Sequence, residues 1–383
     1  MTEEHEDVTA PSGKAGLFAG KRWRPGSSAG APDPRADAPP HPPADPDPGP
    51  DPFPRPEPQP VKRFRRFRIA AWIALVLAAA VVGASVLLAK GPPTEAELRE
   101  RAGLFNKDRL RIGVKSDTPG IALKEQTGSF TGFDIEIAYM IAADLGFSRD
   151  KIDFLAIETE DRARMWAQDE QGRFVKVDLV VASFSVTSKR RENTAVGFST
   201  PYLYTEQSVV TRDDSKKITS LRQLKGKKVC TLGTSTSAIE LEQAIGRDVD
   251  VDPKNLLSDC IKGLKNREYE AVTTDAALLA GFVAEPGSGL LHHDIALDNT
   301  EMWAVNAGPN TALRTLVDLS LYRSYADPQD QRWEDAYKTH IEPLLAANPG
   351  INAAEAEQPC ARAPEVRRWP WERTLPAKEC PTR

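Results

Sequence analysis

Hydrophobic and polar positions divide the chain into three stretches with different periodicities. The first stretch has almost no apolar anchors, and from Pro32 to Pro60 proline recurs every second or third position among Asp, Ala and Arg. Proline fixes φ and lacks an amide donor, so this run favours solvated, polyproline-like backbone over helix or strand. Too little apolar surface is present to offset chain entropy, and residues 1–68 are expected to form a disordered Pro-rich segment. The second stretch is the opposite case: Ile69 to Ala89 is 21 residues without a charge. At about 1.5 Å per residue, a helix of that length crosses a hydrocarbon layer ~30 Å thick. From about Arg109 the third stretch alternates apolar runs with amphipathic ones. LRIGV (110–114), KIDFLAI (151–157), VDLVVASF (177–184), KKVCTLG (227–233) and YEAVTTD (269–275) read as buried strands. GFDIEIAYMIAADLG (132–146) reads as a helix with Ile135, Ile137, Ala138, Ile141, Ala142 and Leu145 along one stripe, and a further helix is expected after Ser237. Strands alternating with helices predict an α/β fold with parallel sheets covered on both faces, in two lobes rather than one. No 20–50-residue repeat is visible, which excludes solenoids and propellers.

Charge places the apolar stretch. The preceding VKRFRRFR (61–68) carries five basic side chains, whereas Lys90 to Arg101 mixes both signs. By the positive-inside rule residues 1–68 are cytoplasmic, and everything after Lys90 is outside the cell membrane. A cleaved secretory signal would have a shorter apolar region, about 7–15 residues, and a shorter leader. No Leu-x-x-Cys lipid box is present, so residues 69–89 are expected to be an uncleaved single-pass transmembrane helix. Over the whole chain 50 Lys and Arg face 55 Asp and Glu, a net charge of −5, which excludes an ordinary basic nucleic-acid binder. Of 31 prolines, 16 lie in the first 60 residues, so the chain is a mosaic and not a uniform globule.

The four cysteines then fall in an oxidising compartment and are expected to form Cys230–Cys260 and Cys360–Cys380. Neither pair has metal-ligand spacing. His292–His293 adjoins no second ligand cluster and reads as loop surface, so no metal and no cofactor are expected.

At GFDIEIAYMIAADL the chain resembles the family-three extracellular solute-binding proteins, of the periplasmic-binding-protein type II fold, which capture polar amino acids for uptake. The motif is Gly132, Phe133, Asp134, Ile135 and Glu136. Its neighbours follow in the family's order: GVKSDTPG before it, then VDLVVASFSVTSKRRENTAVGFSTPYL, KGKKVCTLGTSTSAIE and YEAVTTDAALLAGF. The resemblance covers residues 109–345 and is nearest to the glutamate/aspartate-binding subgroup of actinobacterial type. It implies one lobe made of 109–208 and 302–345, a second of 212–297, and a tail over 346–383.

The resemblance also implies roles for particular residues. Arg190 matches the arginine that forks onto the ligand's α-carboxylate, which a planar guanidinium does with two parallel bonds. Ser183 and Ser185 match contacts to the same head group. In the GTSTS turn, Thr234 and Ser235 precede a helix and would offer amides to an anion, with Thr231 just before them. Asp275 matches the acid that accepts the α-ammonium. Lys115 stands where many relatives with neutral or basic ligands carry Asp, and Arg164 aligns with an arginine for a distal carboxylate. Two cations at the side-chain end suit a dicarboxylic amino acid, glutamate before aspartate. The alternatives are a solvent-facing Lys115, a surface Arg190, Arg162 in place of Arg164, and an Asp275 that caps the following helix. The sequence departs from the family at Pro119, where relatives often have a following aromatic and this chain has Gly120 and Ile121.

Two classes of partner follow. An importer receptor would meet ABC permease and ATPase subunits; a sensor would signal through the span to a cytoplasmic partner, since residues 1–68 hold no kinase, cyclase or response-regulator motif. Some members of the fold are enzymes, but nothing in this sequence looks like an added catalytic domain, and no enzymatic activity is expected.

Overall fold

The computed structural model describes residues 62–89, 91–246, 250–295, 297, 300–367 and 380. The Pro-rich residues 1–61, and Trp369 and Trp371 near the C-terminus, lie outside that set. A helix runs from Lys62 to Ala89, and its stretch Phe64–Ser85 has a mean hydropathy of 2.2. By length and composition this helix can cross a bilayer, and the side chains from Phe64 to Ser85 are exposed.

The remainder is α/β. Leu110–Val114 pairs in parallel with Ile152–Ala156 and with Leu179–Val180. Lys228–Leu232 pairs in parallel with Asp250–Lys254 and Ala271–Asp275. These two parallel groups are the cores of a first and a second lobe. Two long strands join them. The outgoing strand, Phe198–Arg212, pairs antiparallel with the return strand, Thr300–Asn306, through Phe198 to Glu206. From Gln207 to Arg212 it pairs instead with Ala271–Asp275 and Leu290–His293. One strand thus belongs to both lobes in succession.

Local chemistry fixes the elements that matter for the cleft. The helix Phe133–Asp144 starts at Gly132, whose φ of +127° and contact with the Ile121 backbone leave no room for a side chain. Its Phe133 packs edge-on against Trp333 at 5.8 Å and Tyr337 at 6.4 Å, anchoring the helices that follow the return strand to the first lobe. In the second lobe a disulfide joins Cys230 to Cys260 with Cα atoms 5.5 Å apart; Cys360 and Cys380 are joined likewise at 5.7 Å.

His292 and His293 correct the loop-surface expectation. They lie on the strand Leu290–His293. His292 bonds Ser208 Oγ and Asn348 Oδ1, each at 2.7 Å, and His293 bonds Thr211 Oγ1 at 2.7 Å. Burial pulls the His292 pKa down to about 4, so its role is that of a neutral hydrogen-bonding group.

Past Ala347 the chain runs back over both halves. The Glu355 amide donates to the Tyr204 carbonyl at 3.0 Å, Thr205 Oγ1 donates to the Ala353 carbonyl, and Tyr337 donates to the Ala354 carbonyl at 3.3 Å. Arg367 of this segment lies beside the short helix Glu95–Arg101, whose start Thr94 and Glu97 close with a reciprocal capping box. There the Arg367 amide bonds the Pro93 carbonyl at 3.1 Å, and its guanidinium lies 3.7 Å from Glu97.

Candidate functional site

The site is built where the parallel strands of the two lobes end, the usual ligand position in open α/β sheets. On the first wall, Leu110–Val114 delivers Lys115, which is 2 % exposed. Its ammonium donates to Thr159 Oγ1 at 3.2 Å and, across the cleft, to the Asn255 carbonyl at 3.4 Å. Burial pulls the Lys115 pKa down to about 8, against the opposing charge of Asp117.

Arg162 follows a single 3-10 turn, Thr159–Asp161. Its Nε donates to the Thr159 carbonyl at 3.0 Å, and Nη1 donates to the carbonyls of Ala182 and Ser183 at 3.1 and 2.7 Å. Burial, then the nearby charge of Arg190, pull its pKa down to about 9. Arg164 goes the other way: its side chain is 63 % exposed and pairs with Asp161 at 2.7 Å. Residues 162–165 form a turn that ends at Met165 with φ +60°, and this turn carries Arg164 outward while Arg162 stays inside. The buried cation of this turn is therefore Arg162 and not the expected Arg164.

The bend after Leu179–Val180 is held by the acid of the GFD motif. Ser183 has φ +48°; its amide and hydroxyl both donate to Asp134 Oδ2, at 2.9 and 3.0 Å, while Tyr202 donates to Oδ1 at 2.8 Å. This bend stops the strand well short of the expected 177–184 and turns two carbonyls toward Arg162. It also commits the Ser183 hydroxyl to Asp134. Ser185 contributes its carbonyl, which accepts from Arg190 Nη1 at 2.7 Å. Arg190 sits in the short helix Ser188–Arg191, stacks 4.8 Å over Phe184, and has its pKa lowered by burial.

On the second wall, Thr231 is fully buried and donates to the Thr273 carbonyl at 2.8 Å. Thr234 has φ +58°, and its carbonyl accepts from Arg190 Nη2 at 2.9 Å, a second contact across the cleft. Ser235 caps the helix Thr236–Ile245 by accepting from the Ala238 amide at 3.1 Å. Asp275 ends its strand 4 % exposed, accepting from Ser237 Oγ at 3.3 Å and from Trp303 Nε1 at 2.6 Å. It makes no cap bond to the helix Ala276–Val283 that follows it. Burial, then the neighbouring negative charge of Glu301, push the Asp275 pKa up to about 7.

Glu301 is the acid that sequence reasoning missed. It is buried on the return strand, and its charge bears on Arg162, Arg190 and Asp275 alike. The available signal was a carboxylate immediately before the apolar run MWAV (302–305). Lys115, Arg162, Asp275 and Glu301 are buried and Arg190 is half-buried, and the charges that act among them are felt more strongly than in solvent. The carboxylates of Glu158, Glu160 and Asp161 come within 4.8 Å of one another. Arg164 pairs with two of them and Asn255 Nδ2 bonds Glu158 at 2.9 Å, so this cluster is already engaged by protein groups.

Residues 110–340 match the model of the bacterial extracellular solute-binding proteins, family 3. The chain belongs to this family. Relatives of this solute-binding protein include the glutamate-binding protein GluB of Corynebacterium efficiens, 26 % identical over 234 residues, which are 58 % of this chain and 76 % of that one. The ABC transporter glutamine-binding protein GlnH of Bacillus subtilis is 29 % identical over 275 residues, 70 % of this chain and 96 % of its own. Among solved structures, a solute receptor for L-cysteine of Neisseria gonorrhoeae superposes with a TM-score of 0.56 at 26 % identity, covering 69 % of this chain and all of that one. What this solute-binding protein has outside the matched residues includes the apolar helix Lys62–Ala89 and the returning C-terminal segment.

Proposed function

We propose that this solute-binding protein is a membrane-tethered extracellular receptor that captures an acidic amino acid, glutamate before aspartate, for an ABC importer. The observation that carries this reading is charge: Lys115, Arg162 and Arg190 are three cations withdrawn from solvent, with Asp275 and Glu301 acting on the two arginines and Asp117 on Lys115. Arg190 and the GTSTS turn would take the α-carboxylate, Asp275 the α-ammonium, and Lys115 with Arg162 the distal carboxylate. Each group of the ligand then gains a partner as water leaves. A lysine or arginine ligand would bring a like charge to Lys115 and Arg162, which is costly once desolvated. Glutamate-binding and glutamine-binding relatives support the ligand class, and the first wall's two distal cations favour the acid over the amide.

A ligand that bridges both walls stabilises the closed arrangement, so closure about the two crossing strands is the output read by a permease. The lobes on this reading are 109–208 with 302–345 and 212–297, and residues 1–68 are cytoplasmic. Titration calorimetry on the full chain with glutamate, aspartate, glutamine and arginine tests the proposal. Glutamate binding near ~1 μM, worth about 8 kcal/mol, is expected; Lys115→Ala should bring glutamate and glutamine to similar affinity. Preference for arginine, or no binding by a folded chain, would overturn it.

The C-terminal segment favours a second reading, a sensor. It touches the outgoing strand at Tyr204 and Thr205 and ends on the segment that follows the apolar helix, at Pro93 and Glu97. A hinge linked to that segment suits signalling through the span. Loss of glutamate uptake on deleting the gene supports the importer; intact uptake with altered cytoplasmic phosphorylation supports the sensor.

A further inference from the structure

We propose that Asp117 is a latch between the lobes, holding them closed by capping a helix of the second lobe that lacks a cap of its own. The inference rests on the receptor reading above and concerns how the same cleft is kept shut. Helix Leu257–Lys265 follows Leu256, which has no side-chain acceptor, and makes no side-chain cap bond. First-turn amides need an acceptor, normally supplied by the residue at the cap. This helix receives one from the opposite lobe: the Ser258 amide donates to Asp117 Oδ2 at 2.9 Å. A carboxylate there also meets the positive end of the helix dipole. Asp117 is 8 % exposed, and its other oxygen, Oδ1, is buried without a hydrogen-bond partner. Two residues away stands Lys115, whose ammonium bonds the same stretch of the second lobe through the Asn255 carbonyl.

The turn after Asp117 is shaped for the same approach. A Cβ on Gly281, in the second lobe's helix Ala276–Val283, would lie 2.0 Å from the Pro119 carbonyl oxygen. A Cβ on Gly120, at φ +79°, would lie 2.7 Å from Leu344 Cδ1. The aromatic that relatives often place after this proline has no room here. Closure instead uses a carboxylate and a backbone contact. The latched helix is not free to adjust alone, because its Cys260 is bonded to Cys230 in the strand that leads to the GTSTS turn. Fixing the helix therefore fixes the turn that faces the ligand. A group that holds the lobe and not the ligand governs residence time, and any effect of Asp117 through the charge of Lys115 falls alike on the two acidic ligands.

The test uses the full chain in nanodiscs. Asp117→Ala should weaken glutamate binding about tenfold, equivalent to about 1.4 kcal/mol, almost wholly through a faster off-rate, with the glutamate-to-aspartate affinity ratio kept. Gly281→Ala should do the same by obstructing closure, which covers the case in which Asp117→Ala fails to fold. Off-rates within twofold of the unsubstituted chain for both variants would overturn the latch. A changed ratio at constant off-rate would also overturn it, making Asp117 a ligand contact. The separation of spin labels placed through unnatural amino acids at exposed Glu170 and Arg222 is read without ligand. Asp117→Ala should shift it to longer distances, and an unchanged distribution would refute the latch. If the unsubstituted chain binds no amino acid while this shift is seen, the receptor reading fails and the latch stands.

Discussion

On the proposed reading single side chains decide what the cleft accepts, and the arginine pair after Thr159 offers a direct test. Arg162 is held by three carbonyls inside the protein, whereas Arg164 reaches solvent beside Asp161. Arg162→Ala is expected to reduce glutamate affinity by at least 100-fold, and calorimetry with Arg164→Ala should stay within twofold. The first variant should also lose about 1–3 kcal/mol of stability, because buried carbonyls are left without donors. Reversed results would put the distal cation at Arg164. Proton linkage supplies a second prediction. Asp275 is pushed up to about 7 by burial and Glu301, so near pH 7 part of it is protonated. A ligand ammonium beside it favours the carboxylate, lowers that pKa and releases a proton. Lys115 is pulled down to about 8 by burial, so near pH 8 part of it is neutral. A ligand carboxylate raises its pKa and takes a proton up. Affinity should therefore fall below pH 7, as Asp275 gains its proton, and above pH 8, as Lys115 loses one. Calorimetry in buffers of different ionisation enthalpy should find release near pH 6.5 changing to uptake near pH 8. A constant sign across that range would show that one of the two groups does not face the ligand.

At the scale of elements, the disulfide Cys230–Cys260 carries the clearest prediction. It joins a central strand to the helix Leu257–Lys265 across 30 residues of chain. Replacing both cysteines by serine should cost about 2–4 kcal/mol, seen as a lower denaturant midpoint; an unchanged midpoint would mean that the strand and helix packing suffices alone. How much of the architecture was legible follows from what each element buries. Leu110–Val114, Lys228–Leu232 and Ala271–Asp275 are buried along most of their length, and their short runs rich in β-branched and apolar residues could be read as strands, although Ala271–Asp275 carries two threonines and an acid. Leu290–His293 could not. Its histidines satisfy themselves with Ser208, Thr211 and Asn348, partners as far as 84 residues away, and from sequence alone they look like surface. Similarly, the placement of Lys115, Arg190 and Asp275 at the ends of the strands and turns between the lobes was legible because each stands in a motif of fixed order. The choice between Arg162 and Arg164 depended on the turn over residues 162–165, which no pattern of residue types encodes. The commitment of the Ser183 hydroxyl to Asp134 was equally hidden, because the left-handed bend that causes it involves a residue with a side chain and not a glycine.

For the molecule as a whole, the segment after Ala347 lies beyond the matched family residues yet is bonded to the outgoing strand at Tyr204 and Thr205. Its Asn348 donates to the carbonyls of Ala280 and Leu344 at 3.1 and 2.8 Å and meets His292 on the second lobe. Ala353, Ala354 and Glu355 bond the outgoing strand and Tyr337, and Gln358 donates to the Leu321 carbonyl on the first lobe at 3.3 Å. Ala353, Ala361 and Val366 are buried, so the segment also covers apolar surface. A chain ending at Ala347 would lose the bonds from Ala353 and Glu355 to the outgoing strand and uncover that surface. At about 1 kcal/mol for each lost hydrogen bond, the truncated chain should be less stable by at least ~3 kcal/mol. For a domain of this size that corresponds to a fall of roughly 6–12 °C in Tm. The same truncation removes Arg367 from Pro93 and Glu97, so amides of the helix Glu95–Arg101 should exchange hydrogen faster. If Tm and exchange are both unchanged, the segment is a passive tail, and the reading that couples the hinge to the residues after the apolar helix loses its support. If exchange quickens in the truncated chain, and glutamate slows exchange at Leu98 and Ala102 in the full chain only, closure of the cleft is being felt at that helix.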